Sequence, residues 1–222
     1  MRSDLAHIDA WVFDMDNTLY PASANLFGPI QDRMTRYIAE RFDLAADAAA
    51  EMRQGYFHAH GTTLAGLMAE HGVDPHEFLD YVHDVEMDVL EENLPLAAAI
   101  ARLPGRKLVF TNGDAPYAAR VLDRLGLRAS FDGVHDIHAM ALVPKPAASA
   151  YAGLCDAWGI APARALFADD MARNLAPAKA IGMTTLWIDN GSEQHPDAAR
   201  GFIDHRAADL TDWLHQVLGE TA

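Results

Sequence analysis

The chain has 222 residues, of which 50% are hydrophobic and 22% are charged, a composition typical of a folded globular protein and not of a disordered one. Its 32 acidic residues outnumber its 17 basic ones and give a formal net charge of −15, which argues against a nucleic-acid polymer or an anionic membrane surface as a partner. The single cysteine, Cys155, excludes an internal disulfide and favours a reducing compartment, and no apolar stretch reaches the roughly 18 residues of a membrane span. We therefore expect a cytoplasmic protein.

The first half of the chain predicts one buried strand followed by helices. The apolar run Ala10–Phe13 stops abruptly at Asp14, as a buried strand would. From Phe27 to Phe42 apolar residues recur every three or four positions, which predicts an amphipathic helix. Helical patterns continue to about residue 91. We therefore predict an all-helical segment over residues 22–91.

After this segment, strands alternate with helices. Further buried strands are predicted at Lys107–Phe110, Gly133–Ile137, Ala165–Ala168 and Thr184–Ile188. Helices are predicted at about 95–103, after Gly113 as far as Leu125, and at Pro146–Trp158, Asn174–Ile181 and Leu210–Leu218. This alternation is typical of an α/β fold with a parallel sheet. We expect an α/β core of residues 1–21 and 92–222, interrupted by the helical segment 22–91.

Polar residues follow three of the predicted strands, at the point where each strand ends. They are Asp14, Asp16 and Thr18 after the first strand, Thr111 and Asn112 after the second, and Asp169 and Asp170 after the fourth. A lysine, Lys145, lies between two prolines in a loop. Because ligands bind outside the carboxyl ends of parallel strands, we expect these groups to converge on one crevice.

Such a crevice would hold four carboxylates and one ammonium group. Carboxylates packed together raise one another's pKa unless a cation is present, and oxygen ligands of this kind suit Mg²⁺. Lys145 and Thr111 could bind phosphate oxygens that the metal does not reach. One carboxylate could act as a nucleophile, and a second as a general acid and then a base.

Four segments in this order resemble the motifs of the haloacid dehalogenase superfamily. They are Phe13–Tyr20, Phe110–Gly113, Pro144–Pro146, and Phe167–Asp170 with Asn174. The resemblance implies a Rossmann-like core with a helical cap domain inserted after the first motif. The helical segment 22–91 occupies that place.

The resemblance also implies a role for each residue of the motifs. Asp14 would be the nucleophile, and Asp16 would protonate the leaving alcohol and then activate water. Thr111 and the backbone of Asn112 would bind the phosphate, and Lys145 would neutralise it. These roles describe a phosphatase that passes through an aspartyl-phosphate.

Magnesium would be held by the acidic residues at the strand ends. The ligands implied are Asp14, the main-chain carbonyl of Asp16, and Asp170, with Asp169 binding directly or through water. Asn174 would orient the acidic pair and Lys145, although it could instead cap the helix that begins there. Asn174 and Thr18 are thus expected to contact the metal ligands without binding the metal themselves.

Asp16 separates two branches of the superfamily. Members that displace halide lack an aspartate at this position, because halide leaves without a proton, whereas an alkoxide needs an acid. Within the phosphatases, the segments Asp14–Pro21, His60–Leu67 and Val82–Asp84 resemble the pyrimidine 5′-nucleotidases, whose substrates are UMP and CMP. His60 is accordingly a candidate substrate-facing residue, with plain packing as the alternative.

Two other functions stay open at this point. A sugar-phosphate phosphatase or a phosphomutase would use the same core residues, and a mutase would return the phosphoryl group to a second hydroxyl instead of to water. A catalytically silent binding or regulatory module is the remaining alternative, although every catalytic position is filled. The sequence gives no indication of the oligomeric state.

Overall fold

The computed structural model describes residues 2–192 and 201–219 of the chain. Within these residues, six strands form one sheet in the order β3-β2-β1-β4-β5-β6, and every neighbouring pair is parallel. This is the strand order of the doubly wound Rossmann fold, so the predicted α/β class is confirmed. The strands are β1 Ala10–Phe13, β2 Arg106–Phe110, β3 Gly133–His135, β4 Ala165–Asp169, β5 Thr184–Ile188 and β6 His205–Ala207.

The same residues form nine α-helices in two groups. The first four pack on one another, and the other five lie between or after the strands, where α8 contacts β4 and β5 and α5 packs on α9. They are α1 Phe27–Phe42, α2 Ala46–His60, α3 Thr63–His71, α4 Pro75–His83, α5 Leu94–Ala101, α6 Ala115–Arg124, α7 Ala148–Trp158, α8 Ala172–Ala180 and α9 Leu210–Leu218. None of these helices combines the length and apolarity that crossing a membrane requires.

Strand β1 lies at the centre of the sheet, between β2 and β4. All four of its residues are buried, as expected of a parallel strand that is covered on both faces. Phe13 pairs with Val109 on one side and with Ala168 on the other. The next residue along each strand is therefore Asp14, Phe110 or Asp169, so these three residues lie side by side at the carboxyl edge of the sheet.

Helix α4 ends earlier than the sequence pattern predicts. The predicted helical pattern to residue 91 is wrong beyond His83, where α4 stops. The carbonyl oxygens of His83 and Val85 accept hydrogen bonds from the guanidinium of Arg120, at 2.9 and 2.7 Å. Side-chain donors from α6 thus replace the helical amides as partners for these carbonyls.

Several other boundaries also differ from the prediction. Strand β6 was missed, because it has only three residues and none of them is fully buried. Helix α8 begins at Ala172 with Met171 as its N-cap, so Asn174 lies inside the helix and the capping interpretation is wrong. Smaller shifts affect the start of α7, at Ala148 instead of Pro146, and the end of β3, at His135 instead of Ile137.

Candidate active site

Three aspartates converge at the carboxyl edge of the central strands. Asp14 follows β1, Asp169 ends β4, and Asp170 follows it. One carboxylate oxygen from each lies within 4.8 Å of the others. Their exposed fractions are 7%, 0% and 3%. This arrangement is a buried, all-oxygen donor set of the kind that could hold a hard divalent cation.

Lys145 brings one ammonium group into this cluster. Its Nζ donates hydrogen bonds to Asp14 Oδ1 at 2.7 Å, to Asp169 Oδ2 at 2.9 Å and to the Phe110 carbonyl at 2.8 Å. The side chain is 1% exposed. An ammonium has three protons to donate, so these acceptors satisfy Lys145 completely and fix it between the ends of β1, β2 and β4.

The loop that carries Lys145 is held by Asn112. The Lys145 amide donates to Asn112 Oδ1 at 2.9 Å, and Asn112 Nδ2 donates back to the Lys145 carbonyl at 3.2 Å. The bond that follows, Lys145–Pro146, is cis. The side chain of Asn112 therefore positions the lysine loop, a role that the sequence did not indicate.

The electrostatics of the cluster are unbalanced. Burial and then the neighbouring carboxylates raise the pKa of Asp170 well above its usual range, although Lys145 and Ser192 act in the opposite direction. Burial also raises the pKa of Asp14 and Asp169, and there the ammonium of Lys145 offsets part of the rise. Burial alone would lower the pKa of Lys145, but the carboxylates of Asp14 and Asp169 raise it. Three buried acids facing one ammonium are a donor set that fits an additional cation.

Two polar side chains link the acidic residues to their surroundings. The Thr18 hydroxyl donates to Asp14 Oδ2 at 3.3 Å and accepts from the Asp170 amide at 3.1 Å. Asn174 Nδ2 donates to both oxygens of Asp169, each at 3.0 Å. Thr18 thus binds the carboxylate of Asp14, and Asn174 binds that of Asp169, which is one member of the acidic pair.

Asp16 stands beside the cluster and outside the group of three. It is half-buried. The pKa of Asp14 is raised mainly by burial and lowered by the charge of Lys145, and the negative charge of Asp16 adds a smaller rise. The Oδ1 atom of Asp16 accepts hydrogen bonds from the hydroxyls of Tyr20 and Tyr117, both at 2.7 Å. Among the described residues, the Asp16 carboxylate therefore accepts hydrogen bonds from two hydroxyls, whereas Lys145 binds Asp14 and Asp169.

Thr111 directly follows β2, at the same edge of the sheet as the acidic residues. Its hydroxyl oxygen accepts from the Gly113 amide at 3.0 Å, and its own amide donates to the His135 carbonyl at 3.1 Å. Because the hydroxyl serves as an acceptor in the first bond, its proton remains available for an acceptor such as a phosphate oxygen.

His60 contacts other residues of the helical segment. Its Nε2 lies 3.6 Å from a Glu70 carboxylate oxygen, and its ring meets that of Tyr56 edge-on at 5.8 Å. The next residue, Gly61, comes closer to the lysine loop: a Cβ at Gly61 would lie 3.7 Å from the Lys145 carbonyl oxygen. The turn after α2 therefore approaches the site through Gly61.

Sequence reasoning missed two residues that connect the site to the helical segment. Tyr117 has an apolar helical context and was not distinguishable from a core residue. Arg173 follows the acidic pair, and its guanidinium lies 4.1 Å from the Phe57 ring centroid and donates to the Gly61 carbonyl at 3.0 Å. Both contacts join segments far apart in the chain, so no local pattern reveals them.

Comparison with known proteins places the chain in a family. The family model of haloacid dehalogenase-like hydrolases matches residues 8–182. This match covers most of the chain, and the chain therefore belongs to that family of hydrolases.

The solved structures that match share the fold and differ in the reaction for which they are named, whereas a curated relative matches only part of the chain. Phosphate metabolism protein 8 of Saccharomyces cerevisiae is 25% identical over 138 residues, which are 57% of this chain and only 42% of that protein. A HAD phosphatase from Thermococcus onnurineus has a TM-score of 0.64 at 18% identity and covers 97% of this chain and 100% of its own. An L-2-haloacid dehalogenase from Xanthobacter autotrophicus has a TM-score of 0.59 at 18% identity and covers 96% and 100%. At these identities the structures establish the fold, and the reaction has to be inferred from the site.

Proposed function

We propose that the protein is a magnesium-dependent phosphomonoesterase that works through a phosphorylated Asp14. The observation that carries this proposal is the placement of two carboxylates with different partners. Asp14 is bound to the ammonium of Lys145, whereas Asp16 lies beside it and is bound only by hydroxyl groups among the described side chains. A nucleophile next to a separate acid suits a leaving group that needs a proton, as an alkoxide does and a halide does not.

The metal ligands in this proposal are Asp14, Asp170 and the main-chain carbonyl of Asp16, with Asp169 supporting them. The support is the donor set itself, which contains only oxygens and carries more negative charge than Lys145 neutralises. A magnesium ion held by these residues would supply positive charge that stabilises the transferring phosphoryl group.

In the first step, an oxygen of Asp14 attacks phosphorus as the bond from phosphorus to the ester oxygen breaks. Asp16 transfers a proton to that oxygen, so the alcohol leaves neutral. Thr111 donates to a phosphoryl oxygen, and the nearby positive charge of Lys145 offsets the negative charge of the phosphoryl group; positioning and charge neutralisation of this kind are the main demand of phosphoryl transfer. In the second step, water gives a proton to Asp16 and attacks phosphorus, and the bond to Asp14 breaks to release phosphate.

For the substrate we propose pyrimidine nucleoside 5′-monophosphates, UMP and CMP. The support is the resemblance of the segments at His60–Leu67 and Val82–Asp84, together with the approach of Gly61, in the turn after α2, to the lysine loop. We propose that residues 22–91 form a cap domain on the core of residues 1–21 and 92–222, and that the cap selects the leaving group. A cytoplasmic location, and the exclusion of nucleic-acid polymers and membranes as partners, stay predictions.

A release screen tests these statements separately. Phosphate release is measured over nucleotides and sugar phosphates with magnesium and with EDTA, and chloride release is measured from 2-chloropropionate. We expect phosphate release that requires magnesium, is highest with UMP and CMP, and is lost in Asp14→Asn. A higher rate with sugar phosphates would remove the nucleotidase assignment alone. Chloride release without phosphate release would overturn the phosphatase.

A further inference from the structure

We infer that Tyr20 and Tyr117 are positioning residues that aim the proton of Asp16 at the leaving group; this inference rests on the proposed phosphatase. The two tyrosines come from different parts of the chain. Tyr20 lies in the turn after β1, and Tyr117 lies in the first turn of α6. Their exposed fractions are 3% and 1%, so both rings are fixed by packing before their hydroxyls meet at one carboxylate.

Both hydroxyls donate to the same oxygen of Asp16. Each hydroxyl oxygen lies 2.7 Å from Oδ1, the usual length of an O–H···O hydrogen bond. Two donors at Oδ1 leave Oδ2 as the oxygen that carries a proton when Asp16 is protonated. The pair therefore settles which oxygen exchanges the proton and restricts rotation of the carboxyl group.

The tyrosines remain donors over the working pH range. A tyrosine hydroxyl has a usual pKa of about 10, so it keeps its proton and can donate near neutrality. The anchor at Oδ1 persists through both halves of the reaction, in which Asp16 first loses and then regains a proton.

Tyr117 is itself held by the end of the helical segment. Its ring stacks on that of His83, with centroids 4.1 Å apart and planes inclined by 11°. His83 is the last residue of α4, and its Nδ1 lies 3.0 Å from Asp114 Oδ1. Asp114 in turn caps α6 by accepting from the Tyr117 amide at 3.2 Å. Tyr117, which binds Asp16, thus packs against His83 at the end of α4, where the chain leaves the helical segment.

This geometry predicts an effect that depends on the leaving group. An alkoxide needs the proton of Asp16 in the transition state, whereas p-nitrophenolate leaves without one. The ratio kcat/KM covers the steps up to release of the alcohol, so it reports this proton transfer directly. Misplacement of a catalytic group by about 1 Å costs up to about 10²-fold in rate. Loss of the anchor should therefore slow alkyl esters selectively.

The test compares Tyr20→Phe, Tyr117→Phe and the double variant on two substrates, p-nitrophenyl phosphate and the alkyl phosphate that the release screen ranks highest. We expect the double variant to lower kcat/KM for the alkyl ester by about 10- to 100-fold and to leave kcat/KM for p-nitrophenyl phosphate nearly unchanged. Tyr37→Phe is the matched control, because Tyr37 is also buried and its hydroxyl donates to Glu77. It should change neither value.

A second measurement separates positioning from a general structural role. The tyrosine changes are repeated in Asp16→Ala, where there is no proton to aim and they should have no further effect. Equal losses on both substrates, or losses that persist in Asp16→Ala, would overturn the inference. If the wild type releases phosphate and Asp16→Ala shows the leaving-group difference while the tyrosine variants do not, this inference fails and the phosphatase stands. If Asp14→Asn retains wild-type turnover, the proposed function itself fails.

Discussion

Replacing Lys145 by Met removes the ammonium and keeps most of the volume of the side chain. Its Nζ lies 2.7 Å from Asp14 and 2.9 Å from Asp169, so each pair is worth about 6 kcal/mol of gross attraction at an effective dielectric constant of about 20. The desolvation of the ammonium itself offsets much of this attraction. Removing one partner of such a buried pair costs about 3–5 kcal/mol, because it leaves buried charges without a counterion. We expect a loss of stability of this size in the metal-free protein.

The matched control is Lys179→Met. Lys179 makes two contacts of similar length with Asp204, at 2.6 and 2.8 Å, but its side chain is 40% exposed. Exposed ion pairs contribute about 0–1 kcal/mol. The free energy of unfolding is measured by urea titration in EDTA, with tryptophan fluorescence as the signal. Equal losses in the two variants would refute the reasoning, since burial is what distinguishes them.

Three further predictions concern the site and its approach. Asn174→Ala removes both hydrogen bonds to Asp169 and should weaken magnesium binding by about 10- to 100-fold in calorimetric titration; unchanged affinity would deny Asn174 a role in orienting the ligand. Gly61→Ala should cost about 1–2 kcal/mol, because Gly61 has a φ of 85°. Gly55→Ala, where an added Cβ in α2 meets no atom within 4 Å, should instead stabilise by about 0.5–1 kcal/mol, and urea unfolding that showed the same sign for both changes would contradict this account. Phosphate release should stop in EDTA and return with magnesium, and full activity in EDTA would exclude the metal.

The sequence predicted those parts of the site that depend on strand ends. Asp14 and Asp169 each follow a short, fully apolar run, and burial of such a run in a parallel sheet is a local property with a fixed geometric consequence. The register of β1 between β2 and β4 then brings the acids together. The end of α4 was predicted less well, because the side chain of Arg120, from another segment, binds the carbonyls where this helix ends.

Contacts between segments that are distant in the chain could not be predicted from the sequence. Tyr117 reaches Asp16 across 101 positions, and its neighbours along the chain describe only an amphipathic helix. Asn112 follows a strand like the other polar residues, yet its side chain pairs with the backbone of Lys145. That pairing depends on the conformation of the lysine loop, for which residue type alone gives no rule.

The covalent intermediate on Asp14 is the central claim. The most direct measurement is an acid quench during turnover of a phosphate ester carrying labelled phosphorus, followed by peptide mapping of the protein-bound label. We expect label on the peptide that contains Asp14; hydroxylamine should remove it, and the Asp14→Asn protein should carry none. Label attached to another residue, or steady turnover in the Asp14→Asn protein, would contradict it.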